Sequence, residues 1–369
     1  MSDAGSGRAL RRGWTTGACA TAATRAAFEA LATGAPPPDP VEIALPSGKR
    51  VAFALAVFER GEDFARAGVV KDAGDDPDVT HGALICARVR LGARGAGVRF
   101  FAGDGVGVVT RPGLPLPPGE PAINPVPRKM MLETIMEASA KLGVNADADI
   151  EISIPGGEDL AKHTLNGRLG IVGGLSILGT TGIVTPFSCA AWIDSIHRGV
   201  DVARACGLTH VAGATGSTSE AAVKRLYDLP ETALIEMGDF VGGLLKYLRT
   251  HPVARVTIGG GFAKLTKLAQ GRLDLHSGRS SVDFVQLGQT ARAAGAGEEI
   301  AARVADANSA LEAFEIARGA GVDLAAPIAR AAWETAARAL DTAESELEII
   351  IFDREGVLRA RTPFQRAKA

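Results

Sequence analysis

The chain has 369 residues, 46% hydrophobic and 22% charged, a globular profile that excludes disorder as the dominant state and suggests two domains. Forty Lys and Arg against 42 Asp and Glu leave a net charge of −2, which argues against a dedicated nucleic-acid or membrane-surface binder while leaving room for a local basic pocket. Forty-five glycines with only 5% aromatics predict many tight turns or close backbone approaches to ligands.

The first 13 residues carry Arg8, Arg11 and Arg12 without the apolar stretch of a secretory signal, and read as a frayed arm. Residues 15–31 are rich in alanine and predict a helix that begins at Thr15-Thr16-Gly17 and stops before Gly34 and the Pro36-Pro37-Pro38 run. Short β-like runs at 41–45, 51–58, 83–91 and 98–101, separated by Gly, Pro and Asp, predict an antiparallel or mixed sheet. Asn124 as N-cap and Pro125 in the first turn open a second helix, whose Met131, Ile135, Ala138 and Leu142 form one apolar stripe before Gly143. The expectation is a two-layer α+β first domain over residues 1–190, within an overall α/β fold class. Residues 169–193 hold no charge, yet their glycines and Pro186 make them buried turns rather than a membrane span.

From about residue 191 the rhythm changes, with the boundary set between 150 and 195. Strands at 209–212, 233–236 and 253–258 each end in glycines or an acidic residue and lead into helices, Asp239 capping the second. Helices at 309–318 and 327–340 and a strand at 347–352 complete the pattern. This alternation predicts a Rossmann-like parallel sheet over residues 191–369.

In nucleoside-binding folds the first strand ends in glycines at a helix N-terminus, and an acidic residue about twenty positions on accepts the ribose hydroxyls. Gly213, Thr215, Gly216 and Glu236 fit that pattern, and Gly173 and Gly174 are a second candidate for the donor site. The FAGDGVG string at 101–107 imitates a methyltransferase glycine loop but continues as strand, so it reads as a hairpin turn. Asp72, Asp75, Asp76 and Asp78 cluster between Lys71 and Thr80-His81; their spacing does not fit a calcium loop, and turn chemistry or substrate contact is favoured over a metal. Arg128 and Lys129 oppose the dipole of their helix, a placement that suits anchoring substrate carboxylates, and Lys162, His163 and Arg168 could do the same. Asp194 and His197 have relay-like spacing, but neither a G-x-S-x-G elbow nor a Walker motif occurs. The four cysteines, Cys19, Cys86, Cys189 and Cys206, show no metal-ligand spacing and read as buried reduced thiols.

Six strings carry a family resemblance: GWTTGACATAA at 13–23, VKDAGDDPDVTHG at 70–82, GEPAINPVPR at 119–128, IVGGLSILGTTGIV at 171–184, GATGSTSE at 213–220 and GGGFAKLTK at 259–267. In this order they resemble the cobalt-precorrin-5B C1-methyltransferase family, CbiD. The resemblance implies S-adenosylmethionine-dependent methylation of ring carbon C1 of cobalt-precorrin-5B, giving cobalt-precorrin-6A in cobalamin biosynthesis. It implies a cytoplasmic enzyme with a tetrapyrrole substrate whose cobalt belongs to that substrate, no nucleic-acid or membrane partner, and an oligomeric state left open. Within it Asp72, Asp75 or His81 could move a proton, Thr15, Thr16, Arg128, Lys129 and His163 could hold the macrocycle in an interdomain cleft, and the second domain would hold the donor. Two rivals stay open: an NAD(P)-dependent oxidoreductase using the same glycine turns and Glu236, and a non-catalytic corrinoid-binding carrier.

Overall fold

The computed structural model describes residues 10–368 and divides into two compact units, one ending at Ser188 and one starting at Cys189. Arg8 lies outside the described residues. From Leu10 onward the arm is pinned: the Arg11 amide donates to the Asp75 carboxylate at 2.6 Å and its guanidinium pairs with Asp72.

In the first unit β1 (Gly13–Trp14) leads into α1 (Thr16–Thr33). Thr15 caps the helix, accepting from the Ala18 amide at 3.1 Å, and Gly34 in the left-handed conformation ends it. Every residue from Thr16 to Phe28 is buried, because Ala, Gly, Cys and Thr are small enough for neighbours to close around the helix on all sides. After the hairpin β2 (Val41–Ala44) and β3 (Arg50–Phe53) come β4 (Val57–Arg60), β5 (Ala65–Val70), β6 (Leu84–Leu91) and β7 (Val98–Ala102). A short β8 (Val108–Val109) and α2 (Pro125–Leu142) precede β9 (Ala148–Ser153), α3 (Gly157–Ala161), β10 (Ile171–Val172) and β11 (Ile183–Val184).

The main sheet runs β4-β5-β6-β9-β7, antiparallel except for the β7–β9 pair. One face, built from Ala65, Ala67, Ile85, Ala87, Ile150 and Ile152, packs on α1, and α2 covers α1 from its other side. The FAGDGVG segment is not a hairpin. The chain leaves the sheet after Ala102 and reaches β8, which pairs with β10. Gly105 makes that crossing possible: a Cβ there would lie 2.0 Å from the Ile154 carbonyl oxygen, and its φ is +70°.

The second unit begins with α4 (Cys189–Ala205) and alternates β12 (His210–Ala214), α5 (Ser217–Tyr227), β13 (Leu234–Ile235), α6 (Val241–Leu248), β14 (Arg255–Gly261) and α7 (Phe262–Ala269). Four further helices follow: α8 (Phe284–Ala293), α9 (Glu298–Ala305), α10 (Ala310–Gly319) and α11 (Ala325–Leu340). The chain ends with β15 (Glu346–Phe352), β16 (Leu358–Arg361) and β17 (Gln365–Arg366). Strands β13-β12-β14-β15 are parallel, and β16 and β17 pair antiparallel with β15. From β12 the chain steps to β13 on one side and then to β14 on the other, so the sheet reverses direction between β12 and β14. Asp239 does not cap α6; Phe240 holds that position, and the Asp239 carboxylate pairs with Lys264.

The charge-free 169–193 stretch forms β10, β11, turns and the start of α4, and among the described residues no helix is long and apolar enough to cross a membrane.

Candidate functional site

In the first unit, three segments meet at the N-terminus of α1. The Trp14 amide donates to the Asp72 carbonyl at 2.7 Å, the Thr15 amide to Gly182 at 3.1 Å and the Gly17 amide to Leu178 at 2.9 Å. The Thr16 hydroxyl accepts from the Leu178 amide at 3.0 Å and donates to the Leu178 carbonyl at 3.2 Å. Thr15 and Thr16 are thus buried clamps whose hydroxyls are already engaged by backbone. Gly179, with φ +127°, passes so near that a Cβ would lie 2.4 Å from Thr15.

The four aspartates of the following loop turn to three different partners. Asp72 pairs with Arg11, Asp75 accepts from the Arg11 amide, Asp76 accepts from the Phe187 amide at 2.8 Å, and Asp78 meets Lys71 at 2.5 Å. Lys71 is the group the sequence did not single out as buried; its side chain is 1% exposed. Burial works against the Asp78 charge, but the Lys71 ammonium and Thr80 outweigh it and hold the carboxyl below its ordinary range. Arg11, by hydrogen bond and charge, holds Asp72 down at about 2. Asp72 is therefore a fixed anion and a poor proton acceptor near neutrality.

His81 lies 3.9 Å from Asp72, Nδ1 to Oδ1, and its Nδ1 accepts from the Ala73 amide at 3.1 Å. That bond places the proton of the neutral ring on Nε2. Leu178 and Phe187 stand exposed on the neighbouring loop, and Phe187 has the unusual φ of +55° for a non-glycine residue. Cys19, buried one turn into α1, has its thiol pushed up to about 12 by burial. Cys86 is also buried, whereas Cys189 and Cys206 are exposed, contrary to the reading of four buried thiols.

Other expected residues lie apart from this cluster. Arg128 sits against the helix dipole because it stitches its own loop: Nε donates to Ile123 at 2.7 Å, Nη2 to Pro121 at 3.0 Å, and Nη1 pairs with Glu120 at 2.9 Å. Lys129 is exposed and faces Glu133, and His163 is exposed after α3. A Cβ on Gly174 would lie 2.2 Å from the Gly105 carbonyl oxygen, a requirement of packing, whereas Gly173 faces open space with φ +88°. In the second unit, Asp194 pairs with Arg198 while the His197 ring stacks on Tyr247 at 3.9 Å, so these two side chains form no relay.

At the carboxyl ends of β12, β13 and β14 the second unit brings together the other candidates. Gly213 is buried, and a Cβ there would meet Leu244 at 2.4 Å and the Met237 sulfur at 2.7 Å, so its lack of a side chain serves packing. The Thr215 amide donates to the Gly259 carbonyl at 3.0 Å, and its side chain rests on Gly260. Gly216 is open, extended, and precedes an α5 N-terminus without a side-chain cap. Glu236 follows β13, exposed, its carboxylate without a hydrogen-bond or ion-pair partner among the described residues. These groups edge the point where the sheet reverses, the usual ligand crevice of such sheets.

The profile described as CbiD matches residues 3–186, and that described as the CbiD C-terminal domain matches residues 274–363. The chain is 62% identical over 356 residues to a cobalt-precorrin-5B C(1)-methyltransferase of Agrobacterium fabrum, covering 96% of this chain and 94% of that one. The chain belongs to the CbiD family. A relative of the same name from Methylorubrum extorquens is 62% identical, covering 95% of this chain and 97% of that one. A crystal structure of a cobalamin biosynthesis protein (cbiD) from Archaeoglobus fulgidus is 29% identical, covers 73% of this chain and 83% of that one, and has a TM-score of 0.40. Among CbiD chains this one is matched along nearly its whole length, in both units.

Proposed function

We propose that the chain is a cobalt-precorrin-5B C(1)-methyltransferase of cobalamin biosynthesis, a cytoplasmic enzyme that takes its methyl group from S-adenosylmethionine. The observation that carries this reading is 62% identity over 96% of the chain to an enzyme of that name. The donor supplies an electrophilic methyl on a sulfonium, and transfer to a ring carbon is an in-line displacement that needs chiefly alignment.

The residues present suit an adenosine-bearing donor. The open carboxylate of Glu236 matches a ribose diol, and Thr215, Gly216 and Gly260 let a ligand approach the strand ends. The same site is poor for a dinucleotide, because Glu220 places negative charge in the first turn of α5, where a pyrophosphate would sit.

In the first unit we assign the macrocycle side to the face around Arg11, Asp72, Asp75, His81 and Phe187. Asp72 acts there as a permanent negative charge. His81 presents Nε2–H as a donor while its Nδ1 accepts from the Ala73 amide. Thr15 and Thr16 act through the loops they clamp, and the exposed side chains of Lys129 and His163 are the ones we assign to substrate carboxylates.

Thermal denaturation with added ligands tests the donor. S-adenosylhomocysteine raises the melting temperature in a dose-dependent way and NAD and NADP do not, since only a ligand of the native state stabilises it. Stabilisation by a nicotinamide dinucleotide alone would favour the oxidoreductase.

A further inference from the structure

We propose that Trp192 is the stacking platform for the purine ring of the donor, a positioning residue that rests on the donor site assigned above. Trp192 lies in the first turn of α4 and is 44% exposed as a residue, an unusual position for so large an apolar side chain. The ring is nonetheless held from several sides. Its Nε1 donates to the Glu236 carbonyl at 3.1 Å. Phe240 packs beside it with centroids 6.4 Å apart, and Arg279 lies 5.5 Å over Phe240 in turn. Gly238, with φ +53°, runs against the indole so closely that a Cβ would lie 3.3 Å from Cζ2.

The anchor is the informative part. The backbone carbonyl that orients the indole belongs to the residue whose carboxylate is exposed and, among the described residues, unpartnered. A fixed aromatic ring is therefore tied to the backbone of the residue that carries the free carboxylate. A purine nucleoside offers the complement of both: a diol to accept into hydrogen bonds and a flat π face. A sulfonium-bearing amino acid without the base matches only one of them. Trp192 thus selects for the adenosine part of the donor, and its contribution is the same for the methylated and demethylated forms.

Calorimetric titration with S-adenosylhomocysteine tests the proposal, alongside tryptophan fluorescence. Trp192→Ala weakens binding roughly tenfold, a typical loss for one base–aromatic stack, and Trp192→Phe restores most of it. Wild-type fluorescence is quenched on saturation, and the quench disappears in Trp192→Phe while binding persists. Adenosine alone shows the same dependence on Trp192. Failure of Trp192→Phe to recover affinity, or an unchanged wild-type fluorescence at saturation, would overturn the stacking role. Trp192→Ala binding like wild type while Glu236→Ala loses affinity would remove the platform and leave the donor site standing. Normal binding by both variants would instead remove the donor site itself.

Discussion

Arg11 grips Asp72 across 61 positions of sequence with both guanidinium nitrogens, Nη2 donating to Oδ1 at 2.9 Å and Nη1 to Oδ2. The pair ties the segment before α1 to the aspartate loop, and the Asp75 amide returns a bond to the Arg11 carbonyl at 2.9 Å. Arg11→Gln removes the group that depresses Asp72, so its carboxyl rises from about 2 toward the ordinary 3.8. A carboxyl lowered in the folded state contributes stability that is present above its unfolded value and lost as pH falls through the folded one. In the variant the folded and unfolded values converge, so the stability that wild type loses between about pH 3.8 and 2 shrinks, and carbon NMR titration of Asp72 reads the shift directly. An unmoved titration would mean that Arg11 is not its partner in solution.

Gly173 and Gly174 separate a packing requirement from an open position. Gly174→Ala drives a Cβ against the Gly105 backbone and costs about 3 kcal/mol, the upper range for overpacking. Gly173→Ala meets no atom and costs about 1 kcal/mol, from its positive φ alone. Denaturant unfolding of the two variants measures the difference, and equal losses would contradict the assigned packing. Weakened S-adenosylhomocysteine binding in a folded Gly173→Ala protein would move the donor to this loop.

Arg128 and Lys129, adjacent in sequence, differ in what they hold. Arg128→Ala removes the donor of the Ile123 carbonyl and one of the two donors of the Pro121 carbonyl, and destabilises by about 1–3 kcal/mol. Lys129→Ala touches only a surface pair and stays within about 0.5 kcal/mol of wild type. Matching melting temperatures for the two variants would refute the stitching role.

His210 belongs to a buried polar network in the second unit. Its Nε2 lies 2.8 Å from the Thr257 hydroxyl, which donates to the wholly buried Glu348 at 3.2 Å, and Arg361 donates to the same carboxylate at 2.7 Å. Burial, with Arg255 nearby, pushes the His210 imidazole from 6.5 down to about 4. Because the folded state holds the ring neutral, its contribution is full above pH 6.5 and declines as pH falls toward 4. His210→Gln flattens the stability profile in that window. A variant with the wild-type slope there would assign the acid loss to another group.

Much of the fold was legible because local chemistry and tertiary context agree. Thr15 and Gly34 bracket α1 as cap and stop, and the glycine turns after β12 and β14 mark a parallel sheet. Strand β9 lies outside the sequence expectation although Ile150 and Ile152 alternate with Asp149 and Glu151, and β5 lies outside it because Ala65, Ala67 and Gly68 carry little β signal. Helices α4, α8 and α9 lie outside the sequence expectation, and only the first turn of α4 falls within the charge-free 169–193 stretch. At the candidate sites, sequence proximity misled where long-range pairing decides. Four neighbouring aspartates form one cluster in sequence, yet they divide among three partners the spacing could not name, Arg11, Phe187 and Lys71. Arg128 drew attention by opposing its helix dipole, and the structure supplies a local reason in the carbonyls it binds. Trp192 carried no sequence signal, because its significance comes from its bond to Glu236.

The central claim is methyl transfer, and the mass of the reaction product tests it most directly. Purified protein incubated with cobalt-precorrin-5B and S-adenosylmethionine, without added metal or nicotinamide, should give a product one methyl group heavier together with one equivalent of S-adenosylhomocysteine. Substrate recovered unmethylated by the folded protein, or altered only in oxidation state, would contradict the account.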